Sequence, residues 1–418
     1  MIDSRYVRYR PKPAANPFRQ FILKMHGRCN LSCRYCYLYT KSDQRWRHRP
    51  AAMPARTIDV TAARIAEHAR AHDLDRVDVV LHGGEPLLAG AGALRHAVTA
   101  VRREVGETAD VRFSLQTNGT LLNRRYLRLF DELDVAVGVS LDGEAAAHDR
   151  NRADHRGGSH ARVSRGLAEL TRPEFRHLFQ GLLCVIDLEQ APLSAYAALL
   201  AFDPPAIDLL LPHANWSAPP AGPPGAYAEW LTPIFDHWFG APVRRTRIRL
   251  FEEMINVLLG GESAVESVGT TPIGMLVVET DGAIEQSDIL AATYEGAADL
   301  GLNVFHDDFD SALRHPGIAG RQRGVRGIPS CCRPCRWAEV CGGGQYAHRY
   351  RGESGFDHRS VYCTDLDLLF QHIHRTLTNE IAALSAPFAV QYSPGCHLVL
   401  GKDAAQRKLS GRSGSPPL

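Results

Sequence analysis

The chain has 418 residues, of which 44% are hydrophobic and 22% charged, a composition that excludes a mostly disordered protein. Lysine and arginine (48) nearly balance aspartate and glutamate (46), so the net charge of +2 gives no electrostatic reason to expect a nucleic-acid partner. No apolar run approaches the roughly 18 residues of a membrane-spanning helix, so no membrane partner is expected.

Short apolar runs alternate with helical patterns between residues 18 and 260. Strands are predicted at 21–23, 77–81, 111–115, 135–139, 182–186 and 207–211. Helices are predicted at 57–72, 93–105, 123–133, 159–170, 193–202 and 251–259. This alternation indicates an α/β fold with a parallel sheet, and six such units suit a partial (β/α)6 TIM-like barrel. An open doubly wound sheet would give the same pattern.

The pattern changes towards the C-terminus. A Pro/Gly-rich loop is predicted at 218–225, a β-hairpin around Asp281-Gly282, and a helix at 364–384. We therefore predict four parts: an N-terminal arm (1–17), the barrel (18–260), a Cys-rich extension (261–384) and a flexible tail (385–418).

Ten cysteines dominate the chemistry of the sequence, and most of them are clustered. The basic N-terminus lacks the apolar core of a secretory signal, and a chain of this length needs no disulfides for stability. We therefore expect metal or catalytic cysteines in a reducing, cytoplasmic compartment.

The first cysteine group follows the first predicted strand and comprises Cys29, Cys33 and Cys36. A structural zinc site or a closed [4Fe–4S] cluster needs four ligands, whereas a cluster held by three thiolates keeps one iron open. A zinc knuckle that borrows His26 is the alternative.

This C-x3-C-x2-C spacing, with Tyr35 before the last cysteine, resembles the signature of the radical S-adenosylmethionine (SAM) superfamily. The resemblance implies a [4Fe–4S] cluster on the three cysteines whose open iron chelates SAM. Reduction then cleaves SAM to a 5′-deoxyadenosyl radical. It also implies a reducing partner such as flavodoxin or ferredoxin.

A glycine-rich turn follows the second predicted strand. The run Gly83-Gly84-Glu85-Pro86 resembles the GGEP motif of the family, in which the motif holds the SAM amino group. By itself this tetrapeptide is a common turn.

Three further residues are carried over from the resemblance. Asn118 and Ser140 match positions at the SAM ribose, and Arg152 matches an arginine that pairs with the SAM carboxylate. Taken singly, each has an ordinary explanation as part of a turn or as a solvated side chain. Successive strands nevertheless place these motifs at their carboxyl ends, where ligands gather in α/β folds.

The second cysteine group comprises Cys332, Cys335, Cys341 and Cys363, which alone would suit a zinc ribbon. In context the segment resembles the SPASM extension of peptide-modifying radical SAM enzymes, whose full pattern has seven cysteines for two auxiliary clusters. The resemblance implies one auxiliary [4Fe–4S] cluster on these four residues. An exchange of Cys332 with the adjacent Cys331 stays open.

The second auxiliary cluster of the full pattern is predicted to be lost. Ser287 and Gln345 stand where that pattern expects cysteines, while Cys184 suits a packed strand position. Asp288 follows Ser287. It matches a catalytic base of sulfatase-maturating relatives, or else it is a capping or turn aspartate.

Three segments sharpen the resemblance, namely residues 18–24, 278–286 and 341–350. Together they resemble Fxs-type radical SAM/SPASM maturases over roughly residues 18–380. The reaction implied is a carbon–carbon cyclophane bond between an aromatic ring and a β-carbon of a ribosomally made precursor peptide. In this hypothesis Asp288 takes the proton and the auxiliary cluster the electron lost on rearomatisation. The alternatives are a thioether or aryl ether cross-link, epimerisation, or a zinc-stabilised peptide-binding scaffold without catalysis.

Overall fold

A computed structural model describes residues 16–385. The predicted arm (1–17) and tail (385–418) lie outside the described residues, apart from residues 16, 17 and 385. Across the described range, none of the helices is both long and apolar enough to cross a lipid bilayer.

The described residues form twelve strands, ten of them in one sheet. They are β1 (Gln20–His26), β2 (Arg76–Gly83), β3 (Asp110–Thr117), β4 (Val135–Ser140), β5 (Ala153–Asp154), β6 (Gly157–Gly158), β7 (Phe179–Val185), β8 (Ala206–Leu210), β9 (Arg247–Ile248), β10 (Met275–Val278), β11 (Ala283–Glu285) and β12 (Asp299–Asn303).

Helices connect and cover these strands. They are α1 (Ala55–Ala71), α2 (Gly90–Val105), α3 (Arg124–Glu132), α4 (Ala145–Asn151), α5 (His160–Leu170), α6 (Pro192–Leu200), α7 (Ala226–Phe239), α8 (Arg249–Leu258), α9 (Phe309–Arg314), α10 (Pro316–Arg321), α11 (Ala338–Cys341) and α12 (Cys363–Ser385).

The strand order of the large sheet is β12-β11-β10-β1-β2-β3-β4-β7-β8-β9, and every pair from β1 to β9 is parallel. The order advances along the chain without the reversal that marks a doubly wound sheet. The prediction of a partial barrel is therefore confirmed, and the open doubly wound alternative is not needed.

The Cys-rich extension continues the same sheet. Strand β10 pairs in parallel with β1, so that Gln20 lies beside Met275, and the predicted hairpin of β10 and β11 is present. Strand β12 and the short helices α9 to α11 have no counterpart among the predicted elements. The missed helix α7 follows the Pro/Gly-rich loop and contains Pro233, which weakens its helical pattern.

Alternation along the strands separates a core face from an interior face. In β1, Phe21, Leu23 and Met25 are fully buried in the main hydrophobic core. The residues between them belong to the other face, where Ile22 lies beside Val80 of β2 in the sheet register. The interior face is more polar than is usual for a parallel sheet, which indicates that a functional site lies there.

Candidate functional site

The three-cysteine loop begins directly after β1. The Cys29 Sγ accepts hydrogen bonds from the Leu31 N–H (3.4 Å) and from Asn118 Nδ2 (3.5 Å). Burial raises the pKa of Cys29 and of Cys33 to about 11. At neutral pH these thiols are therefore protonated unless a metal centre replaces the proton.

The spacing of the sulfur atoms bears on the kind of centre. Within residues 16–385, no three cysteines have sulfur atoms that all lie within 4.8 Å of one another. Sulfur ligands at about 2.3 Å from a single zinc ion can be at most about 4.6 Å apart. The described cysteines therefore do not form a compact single-ion site in this structure. His26, the alternative zinc ligand, accepts the Arg28 N–H at its Nδ1 (3.2 Å).

The glycine-rich turn after β2 packs on this loop. The Gly84 N–H donates to the His26 carbonyl (2.8 Å), and the Glu85 N–H donates to the Arg28 carbonyl (3.0 Å). A Cβ on Gly84 would lie 1.8 Å from the Tyr39 hydroxyl oxygen and 2.5 Å from the Arg28 carbonyl oxygen. Only glycine permits this approach.

The Glu85 carboxylate is fully buried and joins the ends of β2 and β3. It accepts hydrogen bonds from Thr117 Oγ1 (2.7 Å) and from the N–H groups of Asn118 (2.8 Å) and Leu87 (3.0 Å). Burial raises the pKa of Glu85, against these hydrogen bonds. Three of its roughly four acceptor positions are used, and one remains for a ligand. Pro86, also buried, begins the following 3-10 turn.

The Asn118 side chain is part of the cysteine loop. Its Nδ2 donates to Asn30 Oδ1 (2.8 Å), and its Oδ1 accepts from Thr120 Oγ1 (2.7 Å). Ser140, at the end of β4, accepts a hydrogen bond from Gln116 Nε2 (3.1 Å). The structure therefore brings Asn118 beside Cys29. Ser140 ends β4, which is separated in the sheet from β2, the strand before Glu85, by β3 alone.

Arg152 belongs to a buried group that also contains Tyr35 and Asp142. Arg152 Nη1 donates to the Tyr35 hydroxyl (2.8 Å), and that hydroxyl donates to Asp142. Although burial disfavours a charged guanidinium, Tyr35 and Asp142 raise the pKa of Arg152. The Nε of Arg152 is buried with no hydrogen-bond partner within the described residues. The Arg152 Nε–H is thus a hydrogen-bond donor without an acceptor beside the cysteine loop.

Asp142 is a site residue that the sequence interpretation missed, because Asp142-Gly143 looks like an ordinary turn. It is almost fully buried, and its Oδ1 accepts the Val185 N–H (3.1 Å). Its position directly after a strand was the available signal.

Asp288 lies inside the barrel and pairs with Lys24 of β1. Its Oδ2 also accepts a hydrogen bond from the Tyr37 hydroxyl (2.9 Å) and lies 3.6 Å from His82 Nδ1. Burial disfavours the carboxylate, but the charge of Lys24 outweighs it and holds the pKa of Asp288 well below its usual range. The carboxylate therefore contacts residues from β1, from β2 and from the cysteine loop.

Lys24 and Tyr37 are further residues that the sequence interpretation missed. Lys24 is 2% exposed, within an otherwise apolar strand. A lysine at an alternating position of a buried strand was the signal that could have identified it.

A cavity of about 390 Å³ opens at Asp288. Its walls come from the interior faces of the strands and from the extension, and they include Ile22, Val80, His82, Ser114, Gln116, Leu210, His213, Ser287, Asp288, Gln345 and His348. Ser287 and Gln345, which stand where the SPASM pattern expects cysteines, both line this cavity.

The second cysteine group is assembled around a three-glycine turn. Cys341 ends α11, and Gly342, Gly343 and Gly344 all have positive φ angles (64°, 88° and 72°). Arg349 Nη2 donates to the carbonyls of Gly342 and Gly344 (both 2.6 Å). The turn thus encloses a buried guanidinium.

The cysteines of the second group lie near this turn. Burial raises the pKa of Cys341 to about 11, against hydrogen bonds from the Gly343 and Gly344 N–H groups and the charge of Arg349. Burial and the adjacent Cys331 thiol raise the pKa of Cys332 to about 12, and Cys341 and Cys363 add to this shift. Cys332, Cys341 and Cys363 are therefore near one another, with Cys331 beside Cys332 and Cys335 near Cys363.

Comparison with known proteins identifies the first part of the site. Residues 23–185 match the model of the Radical SAM superfamily. These residues form a radical SAM domain. The cysteine loop, the glycine-rich turn, Asn118, Ser140 and Arg152 all lie within it.

Curated relatives extend the similarity of the radical SAM domain to most of the chain. The cysteine-type anaerobic sulfatase-maturating enzyme of Clostridium perfringens (strain 13 / Type A) is 25% identical over 381 residues, which is 87% of this chain and 98% of that protein. The serine-type enzyme of Klebsiella pneumoniae is 28% identical over 353 residues, 79% of this chain and 82% of that protein. The chain therefore contains a radical SAM domain and is similar along most of its length to anaerobic sulfatase-maturating enzymes.

Solved structures agree on the fold. The structure of anSMEcpe with bound AdoMet matches with a TM-score of 0.74 at 22% identity, covering 87% of this chain and 99% of that one. Streptococcus suis SuiB bound to its precursor peptide SuiA matches with a TM-score of 0.57 at 13% identity, covering 83% of this chain and 76% of that one. The Fxs-type cyclophane subtype remains a prediction.

Proposed function

We propose that this chain is a peptide maturase that uses SAM and two [4Fe–4S] clusters to form a carbon–carbon cross-link in a precursor peptide. The observation that carries the proposal is that the cysteine loop, Glu85, Asn118 and the buried Arg152 meet at the carboxyl ends of parallel strands. Two solved structures with the same fold, of anSMEcpe and SuiB, contain a bound peptide, which supports a peptide substrate.

The residues present fit the cofactors. Cys29, Cys33 and Cys36 would hold the SAM-binding cluster, which the match to the Radical SAM superfamily supports. Cys332, Cys335, Cys341 and Cys363 would hold an auxiliary cluster, beside the glycine turn that follows Cys341. When bound, these groups would supply the reducing electron, the 5′-deoxyadenosyl radical and an electron acceptor.

The chain's own residues would orient SAM. The remaining acceptor position of Glu85 suits the SAM ammonium group, and the free Nε of Arg152 suits its carboxylate. Tyr35 and Asp142 fix the guanidinium from behind, so its direction is set before SAM arrives. The amide of Asn118 and the hydroxyl of Ser140 are proposed to contact the ribose.

Asp288 is proposed to receive the proton in the cavity. Removal of a β-hydrogen leaves a carbon radical that adds to the ring, and the ring must then lose one proton and one electron to regain aromaticity. With its lowered pKa, Asp288 is a weak base, suited only to a strongly acidic proton such as the one lost in this step. Lys24 and Tyr37 keep the carboxylate ionised for that purpose.

Peptide side-chain oxidation without a cross-link is the second candidate, because the curated relatives are sulfatase-maturating enzymes. The experiment that separates the two is co-expression with a short peptide encoded beside the gene, followed by tandem mass spectrometry. A cyclophane lowers the mass by two hydrogens and suppresses fragment ions between the joined residues. Unbroken fragmentation with altered mass at a single residue would reject the cross-link and favour oxidation, and an unchanged mass would indicate epimerisation or no reaction.

A further inference from the structure

Two imidazoles that line the barrel cavity each have one buried nitrogen without a hydrogen-bond partner among the described residues. His213 follows β8, and His348 lies in a 3-10 turn of the extension, with 5.6 Å between the ring centroids. His348 is 3% exposed. His213 Nδ1 and His348 Nε2 are both buried and have no partner among residues 16–385. Buried polar atoms without partners are rare, because each has lost its hydrogen bonds to water without a replacement, and a bound ligand group would provide the missing partner.

Aromatic packing holds both rings in place. The Tyr37 ring packs edge-on against His213, and the Tyr362 ring against His348, both with 4.9 Å between centroids. Contacts with the two tyrosines therefore orient the rings, while His213 Nδ1 and His348 Nε2 have no hydrogen-bond partner among the described residues. Burial lowers the pKa of His213 to about 4 and holds the pKa of His348 well below its usual value, so both rings are neutral near pH 7. A neutral imidazole offers one donor and one acceptor.

The cavity selects for an uncharged guest. The charged side chains that line it are paired: Asp288 with Lys24, Asp208 with Arg249, and Glu266 with Arg321. A guest carboxylate would meet Asp288, and a guest ammonium group would meet Lys24. The cavity is also lined by apolar side chains such as Leu183 and Leu210, and its 390 Å³ can accept an aromatic ring.

From these observations we infer that His213 and His348 form a subsite for an aromatic side chain of the peptide that carries an N–H or O–H group, an indole or a phenol. This inference rests on the proposed function, which supplies the peptide. It narrows the substrate residue held in the cavity to tryptophan or tyrosine rather than phenylalanine. Ser287 and Gln345 contribute to the same cavity, so the loss of one auxiliary cluster leaves room for the ring.

The test uses the anaerobically reconstituted holoenzyme in its oxidised form with SAM. The probes are N-acetyl-tryptophanamide, N-acetyl-tyrosinamide and N-acetyl-phenylalaninamide, with binding followed by equilibrium dialysis. We expect the tryptophan and tyrosine amides to bind about tenfold more tightly than the phenylalanine amide, the worth of one hydrogen bond to a buried partner. Equal binding of the three amides, or no binding of any, would overturn the subsite.

Variants test whether the imidazoles cause the preference for the tryptophan and tyrosine amides. His348→Phe keeps the ring shape and should reduce the preference to less than twofold, whereas His348→Gln should retain most of it. His306→Phe, at an exposed imidazole, is the matched control and should change nothing. A preference that persists in His348→Phe and in His213→Phe would also overturn the inference.

Failure of the subsite is distinguishable from failure of the proposed function. Iron content and dithionite-driven cleavage of SAM do not depend on His348. If both are normal and the amides bind alike, only the subsite is rejected, whereas a preparation that lacks iron or SAM cleavage rejects the proposed function itself.

Discussion

Lys24 and Asp288, 264 residues apart in sequence, form an ion pair inside the barrel, with side chains that are 2% and 7% exposed. The pair links the first strand of the radical SAM domain to the Cys-rich extension. It also sets the protonation state of the carboxylate, because the ammonium group keeps Asp288 ionised at any physiological pH. The same ion pair therefore joins two parts of the fold and keeps Asp288 ionised.

Removing Lys24 should destabilise the protein strongly. In Lys24→Met the Asp288 carboxylate stays buried without its counter-charge, which costs about 3–5 kcal/mol for a typical buried pair. We expect a lower urea midpoint, and partial recovery in Lys24→Met/Asp288→Leu. Arg19→Met removes a surface pair with Asp75 (2.7 Å) and is the control, with an expected change within about 0.5 kcal/mol. Equal effects at the two sites would show that the buried pair is unimportant.

Replacing Asp288 by asparagine should separate the two halves of the reaction. Asp288→Asn removes the proton acceptor but keeps the size of the side chain. We expect SAM cleavage to continue while peptide product falls by roughly 10²–10⁴-fold, the usual worth of a general base. Liquid chromatography of 5′-deoxyadenosine and of peptide measures both. Product at the wild-type rate would remove Asp288 from the chemistry.

Gly84 should tolerate no side chain. A Cβ there collides with the Arg28 carbonyl oxygen at 2.5 Å, so Gly84→Ala must displace the cysteine loop. We expect about four of eight irons to be lost after reconstitution, together with SAM cleavage. Gly92→Ala is the matched control, because a Cβ there meets nothing within 4 Å in helix α2. Full iron content in Gly84→Ala would contradict the proposed packing.

Arg349 should tune the auxiliary cluster. Its guanidinium is enclosed by the turn that follows Cys341, and its positive charge favours the reduced, more negative cluster. We expect Arg349→Gln to lower the midpoint potential by roughly 60 mV, a tenfold change for a one-electron couple. Arg336→Gln, at an exposed arginine beside Cys335, should leave it unchanged. Redox titration followed by electron paramagnetic resonance measures the shift, and an equal shift in both variants would reject the role of Arg349.

Mild acid should destabilise the fold through buried histidines. Burial lowers the pKa of His82 and His213 to about 4 and that of His148 to about 3. These rings stay neutral when folded but bind protons in the unfolded chain below about pH 6.5. Each therefore contributes stability above that pH that is lost on acidification towards its folded pKa, at up to about 1.4 kcal/mol per pH unit.

Urea unfolding at pH 7.5, 6.5 and 5.5 measures this dependence. Glu285 acts in the opposite direction, because burial raises its pKa to about 7, so its protonation favours the folded state as the pH falls. We expect the histidines to dominate by number and the slope to flatten in His213→Phe. Stability that rises on acidification would contradict the account.

Local sequence was sufficient for much of this site. The glycine turn at Gly83 and the cysteine spacing are short-range features, and each is tied to the end of an apolar strand, so their meeting place could be predicted. The same holds for the β10–β11 hairpin, whose Asp281-Gly282 turn is written in the sequence.

The remaining contacts depend on how distant segments meet. Asp142 reaches Tyr35 across 107 residues, and Tyr37 reaches Asp288 across 251. His213 belongs to the barrel and His348 to the extension, and they meet only once the extension covers the barrel. Such partners follow from sheet order and register, which alternating patterns do not specify. A polar residue at an inward position, such as Lys24, was the one local clue.

Cleavage of SAM by the anaerobically reconstituted enzyme, compared with a variant in which Cys29, Cys33 and Cys36 are all alanine, tests the central claim most directly. We predict about eight irons and dithionite-dependent 5′-deoxyadenosine for the wild type. The variant should keep about four irons, on the second cysteine group, and form none of this product. A colourless zinc protein, or equal SAM cleavage by the two proteins, would contradict the account.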